Sequence, residues 1–537
     1  VSEMKHDVKK KKRKGLKRPG PQVEPGHFTQ IKSRSDAQDW YSAIETEIKD
    51  LEKRGTFELV KIGSVPQNEN ILPSHFTFQA KRNGRKKARW VAGGDKQVKR
   101  LLDDFASPTL KTSSLYSLVA IGAHKRLSLR FLDIKNAYLW ADLPEPVFTH
   151  LPQGFSSNKE TSGKCCKLKK GLYGLKESGR LWFETLKESL KLFNLEQNKF
   201  DPCVFYNTKH DVYLGTYVDD LIILAPEDTT NKIEQMLNEK FETQRSEFDY
   251  LGVSITSSDE GFKLSHFKLS HERYAKEMLE RFGMENCNPK SIPLPVNCEL
   301  VPAGEGEQVD YPMKEASGCL LWLARFRPDL SYAAHQISKI ASAPSAAHIA
   351  VFKHTLQYIK GTSANFMEFP FDPSSNLQLM AFSDANWAND PVTRKSCGGA
   401  LIYAGPYLVS FYAKGQPNVA TSSAHSEILE ISRACRQIMF LKNFLCDMGF
   451  MQEPIKVYTD SACAISATAK LICSEENKHF GVRIQEIKEY RDTQFIQLLK
   501  VIGTDNAADI MTNQRGKVHF EHLLSNLRKP IVDEKLT

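Results

Sequence analysis

No stretch of this 537-residue chain is apolar over a length that would span a bilayer, and no leader-type segment precedes its first amphipathic run. Neither a membrane-spanning nor a signal-led secreted protein is expected. Paired cysteines are missing too. The eleven cysteines include no Cys-x-x-Cys, and Cys165-Cys166 are adjacent, so zinc-site spacing is absent. An odd, scattered set suits a reducing compartment and buried thiols, with no disulfide required. No fixed-period repeat points to a solenoid. Outside the first residues, a single sign of charge is scarce. Residues 1–20 carry nine Lys/Arg and two acids, which leaves the remainder near +2 of the net +9.

An apolar content of 41% and a charged content of 26% are ordinary for a water-soluble globular chain, and the length calls for several domains. The first residue is Val1 rather than Met, so a piece of a longer reading frame or a processed polyprotein is expected. The arm Lys9-Lys10-Lys11-Lys12-Arg13-Lys14 is too polar to fold alone; it reads as a nucleic-acid contact, a nuclear localisation signal or a solvated tail. A second basic stretch, residues 81–100, holds nine Lys/Arg and one acid inside the folded part. Charge of that kind supplies sequence-independent affinity for a polynucleotide.

The most informative segment is Tyr217-Val218-Asp219-Asp220. Apolar runs flank it, Val212-Tyr213-Leu214 before and Leu221-Ile222-Ile223-Leu224 after, which predicts two strands joined at a tight turn with the acids at the turn. Adjacent acids at a buried turn repel each other, and a pair of divalent cations would neutralise them; a solvated turn is the plain alternative. Upstream, Phe131-Leu132-Asp133-Ile134 predicts a strand ending in a further acid. Beside the hairpin it would complete a carboxylate cluster of the kind that hard, octahedral Mg²⁺ shares with substrate phosphates.

These residues resemble a known family, the copia-type LTR retrotransposon Pol polyprotein, in its reverse transcriptase with C-terminal RNase H domain. Tyr217 to Asp220 is similar to the Y-V-D-D signature. Asp133-Ile-Lys-Asn-Ala-Tyr138-Leu139 resembles D-V-K-T-A-F-L, Leu168 to Lys176 resembles L-K-K-S-L-Y-G-L-K, and Ala88 to Gly94 resembles A-R-L-V-A-K-G. The resemblance runs from about Phe28 almost to the C-terminus.

It implies that Asp133 and Asp219 bridge two Mg²⁺ ions, with Mn²⁺ a substitute, and that Asp220 is the third acid. Arg89 would lie over the incoming triphosphate with a bidentate fork, or be a surface arginine. Tyr138 would stack under the sugar and select dNTPs, or be a core tyrosine. Tyr173 and Gly174 match the loop that packs against nucleotide and template, and Lys176 closes that substrate-binding block. Leu251-Gly252 resembles the primer-grip turn. After Lys176 the chain departs from the family: Glu177-Ser178-Gly179-Arg180 replaces Q-A-P-R, and loss of the proline is expected to loosen a turn.

A second constellation follows. Asp384, Glu427, Asp460 and Asp509 lie on separate elements and resemble the four RNase H acids, catalytic and metal-binding, again with two Mg²⁺. The family's E-A-E appears here as His425-Ser426-Glu427; catalysis is carried only to Glu427, and His425 reads as exposed. Lys478-His479 matches a K-H pair, with His479 a proton or product-release helper or a helix-cap histidine. The family's later H-x-x-x-R appears as Gln485 and Lys488.

The expected fold is α+β. Residues 1–26 form a basic arm or linker, 27–290 the fingers, palm and start of the thumb of a right-hand polymerase, and 291–375 linker, thumb and connection. Residues 376–537 form an α/β RNase H-like domain. Predicted elements include helices from Asp39 to Leu51, Leu115 to Ala123, Leu181 to Phe193 and Tyr274 to Phe282, and a hairpin turning at Asn83-Gly84.

The resemblance implies an RNA-directed DNA polymerase with RNase H activity. Its partners would be RNA template, DNA or RNA primer, RNA–DNA hybrid and dNTPs, with Gag and integrase of the same transposable element, and no membrane. The setting would be a cytoplasmic virus-like particle, or the nucleus through the basic arm. The rival reading is a catalytically inactive or domesticated remnant that binds nucleic acid.

Overall fold

The strands Val212–Tyr217 and Asp220–Ala225 are apolar on both faces, so they belong in the middle of a sheet rather than at its edge. In the computed structural model, which describes residues 24–81, 84–97, 105–155, 161–245, 253–260, 263–372, 375–469 and 480–528, they are central in a six-stranded sheet. Its order is Thr243–Arg245, Ser128–Ile134, Asp220–Ala225, Val212–Tyr217, Val204–Asn207 and Glu196–Gln197. Every pairing in it is antiparallel.

The helix Thr112–Lys125 lies against this sheet, and every residue from Ser114 to Ala123 is buried. A helix that is apolar all round must be covered all round. Its second cover is the strand Tyr407–Gly415 of the C-terminal sheet, where the Tyr116 and Phe411 rings stack at 6.4 Å between centroids. Gly122 makes the approach to the sheet possible, because a Cβ there would overlap Leu224.

In the N-terminal part, the helix Ala37–Lys53 turns Trp40, Ile44, Glu47 and Leu51 inward. It packs on Lys86–Ala92, which pairs with Ser74–Ala80 as the expected hairpin. Asn83 of the expected turn lies outside the described residues; Gly84 follows with φ of 81°. A four-stranded sheet, ordered Phe57–Lys61, Lys164–Lys170, Asp142–Thr149, Ile71–Leu72, completes this part.

The strands Ser254–Glu260 and Lys263–Ser270 form a three-stranded sheet with Phe366–Pro370, which ties residues before 290 to residues well after it. Between lie Glu272–Arg281, then a stretch without helix or strand, then Met313–Ala324, Ser331–Lys339 and Ala346–Gly361. Arg327 and Asp329, each 5% exposed, form a forked ion pair there, closed by the Tyr358 hydroxyl donating to Asp329 and by Arg327 donating to Thr362.

The last sheet runs Tyr407–Gly415, Cys397–Ala404, Leu379–Asn386, Ile455–Thr459, Ile496–Lys500. The first three strands are antiparallel neighbours, and the last two pair in parallel. The helix Ser423–Asp447 packs on it. One hydrophobic cluster runs without a break from the six-stranded sheet into this domain. Polar ties reinforce it: Asn198 donates to the Phe444 carbonyl at 3.1 Å, and the Tyr206 hydroxyl and the Lys199 amide both donate to Asp447.

The fold is α+β. The described cysteines are all free thiols. No described helix is long and apolar enough to cross a membrane.

The buried pair is costly to break, because the remaining charge has no partner in a dry site. Asp329→Ala is expected to lower unfolding stability by about 3 kcal/mol or more in urea titration. Glu188→Ala, which removes the exposed pair with Lys191, should give no measurable change.

Candidate active sites

The register Tyr217↔Asp220 leaves Val218 and Asp219 as the turn of the hairpin. Val218 takes φ of 58°, a left-handed conformation that a β-branched residue adopts only at a cost of about 1–3 kcal/mol. Two bonds hold it. The indole N–H of buried Trp182 donates to the Val218 carbonyl at 2.6 Å, and the Ile134 amide donates to the Asp219 carbonyl at 2.9 Å. The antiparallel pairing of Ser128–Ile134 with Asp220–Ala225 sets Asp133 directly opposite Asp220. Directly opposed residues project from the same face of a sheet. The sequence therefore brings Asp133 to the tip of the hairpin, beside both acids of the turn.

Burial pushes the Asp220 carboxyl up to about 7, with Asp219 and then Asp133 adding repulsion. Asp219 is raised by burial and by Asp133, against the pull of Arg89 and Lys87. Carboxylates held this way call for positive charge, and their oxygen donors suit a hard divalent cation.

Asp133, Asp219, Arg89 and Tyr173 line one cleft of about 750 Å³, with Glu47, Lys81, Lys87, Asn136 and Gln244 among the other walls. The Arg89 guanidinium lies 5.0 Å over the Tyr173 ring, and Tyr138 meets that ring edge-on at 5.0 Å. Gly174, φ 91°, lies where any Cβ would overlap the Ala92 carbonyl, and the Ala92 amide donates to the Tyr173 carbonyl at 2.8 Å. Thus the Tyr173-Gly174 loop is sewn onto the hairpin that carries Arg89.

Lys176 is not among the cleft walls; its ammonium donates to the Gln97 carbonyl at 2.7 Å. The turn expected to be loose after it is held firmly. The Ser178 hydroxyl donates to the Leu172 carbonyl and accepts from the Leu172 amide, at 2.8 and 3.0 Å, and so replaces proline stiffness with hydrogen bonds. Leu251 and Gly252 lie outside the described residues, as does Lys478-His479.

Glu47 and Lys87 were not visible as site residues in the sequence. Glu47 looks like one more polar position of an amphipathic helix, yet its carboxylate accepts from the Trp90 amide at 3.1 Å and is raised by burial. Lys87, one strand alternation from Arg89, has its ammonium pulled down by burial and by Arg89. Trp182 gave no signal beyond core packing.

In the C-terminal domain, the parallel pairing of Phe382 with Tyr458 brings Asp384 and Asp460 to the same end of adjacent strands. Glu427 comes from the first turns of Ser423–Asp447, whose N-cap Ser422 accepts from the His425 amide. Donor oxygens of Asp384, Glu427 and Asp460 all lie within 4.8 Å of one another. Burial raises all three carboxyls; Asp509 and Asp460 add repulsion to Asp384, Asp384 and Asp460 add it to Glu427, and Asp509 adds it to Asp460. One Glu427 oxygen accepts from the Ala385 amide at 3.2 Å; the other is buried with no hydrogen-bond partner. That orphaned oxygen in a ring of acids fits a divalent cation.

Asp509, in the short helix Ala507–Met511, stays outside this group of three and is gripped instead by Arg515 and Asn513. Thr512, also unanticipated, donates its hydroxyl to Asp384. His425 is buried rather than exposed: its Nδ1 accepts from the Thr421 amide at 3.1 Å, and its ring stacks on Phe480 at 4.3 Å.

Residues 55–296 match the family described as reverse transcriptase (RNA-dependent DNA polymerase). The aspartate hairpin and the strands that carry Asp133 and Arg89 all lie within that segment. The chain is 29% identical over 521 residues to the Retrovirus-related Pol polyprotein from transposon TNT 1-94 of Nicotiana tabacum, covering 93% of this chain and 38% of that polyprotein. It is 26% identical over 547 residues to the corresponding polyprotein from transposon RE1 of Arabidopsis thaliana, covering 97% of this chain and 36% of that one. The matched family and these relatives support a copia-type reverse transcriptase, and the chain spans well under half the length of the curated relatives it matches. A foamy viral protease-reverse transcriptase solved in complex with ds DNA overlays 86% of this chain and 70% of its own, at 15% identity and a TM-score of 0.49.

If Trp182 fixes the turn, Trp182→Phe should keep the ring and lose the bond. Unfolding stability should then fall by about 1–3 kcal/mol in urea titration. A titration reports the buried acids separately. Asp220 binds its proton more tightly folded than unfolded, so its contribution to stability is lost as pH rises through about 7. In EDTA, the melting midpoint of wild type relative to Asp220→Asn should therefore rise as pH is lowered from about 8 to about 6.

Proposed function

We propose that the chain is an RNA-directed DNA polymerase joined to an RNase H, copying retrotransposon RNA into DNA and then degrading the RNA strand of the hybrid. The observation that carries the polymerase reading is the cross-strand pairing of Asp133 with Asp220, which gathers three half-buried aspartates at the hairpin tip, two of them, Asp133 and Asp219, lining a cleft walled by Arg89 and Lys87. Asp133, Asp219 and Asp220 would hold the metals. Two Mg²⁺ per site, or Mn²⁺ in their place, supply when bound the Lewis-acid charge that in-line displacement at phosphorus needs.

The protein's own contribution is placement. Arg89 and Lys87 face the acids across the cleft and bind the triphosphate of a dNTP, the guanidinium by a fork and the ammonium as a point charge. Tyr173, held flat beneath Arg89, and Tyr138, edge-on to it, form the wall against which base and sugar stack. Gly174 keeps the loop close to the arginine-bearing strand, so the pocket is built before substrate arrives. Template and primer follow the basic surface of the same hairpin, whose Lys81, Arg85, Lys86 and Lys87 line the cleft.

For the RNase H reading, the support is the convergence of Asp384, Glu427 and Asp460. Their shared burial and repulsion make a site that accepts cations and, through them, a phosphodiester. The continuous core between the two parts gives them a fixed separation along one bound duplex. Gag and integrase of the same element are the proposed partners, in a cytoplasmic particle.

The test is a pair of isosteric substitutions in the purified chain. Asp219→Asn should abolish primer extension on an RNA template, by roughly a thousandfold or more, and leave hybrid cleavage intact. Asp460→Asn should do the reverse. Equal extension by wild type and Asp219→Asn would overturn the polymerase assignment.

A further inference from the structure

The four C-terminal acids are not treated alike by their surroundings. Asp384 accepts from the Thr512 hydroxyl, and Glu427 accepts from the Ala385 amide while its second oxygen stays unpartnered. Asp509 is saturated. Arg515 Nε donates to its Oδ2 and Nη2 to its Oδ1, both at 2.6 Å; Asn513 Nδ2 donates to Oδ1 at 2.6 Å, and His519 Nε2 lies 3.5 Å from Oδ2. The segment is fixed from the other side by Asn386, whose amide donates to the Asn513 carbonyl oxygen at 2.6 Å.

A forked arginine–carboxylate pair is often a structural tie, and this chain contains one for comparison. In Arg327–Asp329 both side chains are 5% exposed and the guanidinium is covered on every side. In Arg515–Asp509 the carboxylate is 7% exposed but the guanidinium is 39% exposed. The fork of Arg515 is thus partly open to solvent. Its field reaches the neighbouring acids too, drawing down both Asp384 and Asp460 against their burial. A guanidinium fork that matches a carboxylate matches a phosphate equally well.

We propose that Arg515 is a substrate-phosphate contact of this site, and that its guanidinium competes with divalent cations for Asp509. The proposal rests on the RNase H reading and goes beyond it, for it assigns the fourth acid two alternative partners. Arg515 would leave Asp509 for a phosphate of the RNA–DNA hybrid, which frees the carboxylate for metal and holds the substrate at the same time. Metal and hybrid would then bind with positive coupling, because each removes the other's competitor.

The two roles have opposite signs in one variant, and that makes the test sharp. In the full chain carrying Asp219→Asn, to weaken the polymerase site, Mg²⁺ alone is titrated by calorimetry. RNA–DNA hybrid affinity is read by fluorescence anisotropy in EDTA. Arg515→Gln is expected to tighten Mg²⁺ binding by about threefold or more, and to weaken hybrid binding and slow hybrid cleavage by about tenfold. Arg515→Lys, which keeps the charge and loses the fork, should leave Mg²⁺ binding between the two and fail to restore cleavage.

A merely structural tie would make Mg²⁺ binding and cleavage fall together in both variants, and that result overturns the proposal. So does unchanged hybrid affinity in Arg515→Gln. A wild-type chain that cleaves no hybrid would sink the RNase H reading, while the Mg²⁺ and anisotropy titrations would still decide the role of Arg515.

Discussion

Mutual repulsion among buried and half-buried carboxylates is the constraint around which this chain is organised. Asp133, Asp219 and Asp220 are brought together by a hairpin and its neighbouring strand, and Asp384, Glu427 and Asp460 by two parallel strands and a helix. Both groups are desolvated by the same apolar sequence that builds the sheets beneath them. Like charges at such distances oppose folding, so the surrounding structure must over-determine their positions. That is what the bonds around Val218 do, and what the Thr512 and Ala385 contacts do in the second site.

The two sites answer the repulsion differently. In the hairpin cleft, cations stand across an open volume: Arg89 and Lys87 lower Asp219 without touching it. In the C-terminal site, Arg515 makes direct contact with Asp509 and reaches Asp384 and Asp460 only through its field. The first arrangement leaves space for a charged substrate between the walls. The second stores a positive charge where a substrate would need it. Both keep local net charge tolerable in a protein whose stability is a small difference between large terms.

Packing between the two parts is as decisive as either site. Helix Thr112–Lys125 is apolar on all sides because it has a sheet on each flank, and Tyr116 stacks on Phe411 across that boundary. Expected domain limits near 290 and 375 fall in a region that the three-stranded sheet crosses, since Phe366–Pro370 pairs with Lys263–Ser270. Linear order along the chain and physical units in space therefore differ here. An all-buried helix looks alike whichever sheet covers it, so composition alone could not distinguish one cover from two.

By itself the sequence determined the elements and the acids. Unbroken apolar runs around Tyr217–Asp220 and Asp133 and helical spacing at Trp40, Ile44 and Leu51 are local properties, and the hairpin and helix formed within a few residues of where they were expected. The motif text likewise sufficed to name the family. Only tertiary structure decided who meets whom. Glu47 and Lys87 reach the cleft, Trp182 pins a turn 36 residues away, Lys176 turns to Gln97, His425 goes under Phe480, and Arg515 takes Asp509. Those outcomes depend on burial and charge set by distant strands, and a one-dimensional pattern records neither.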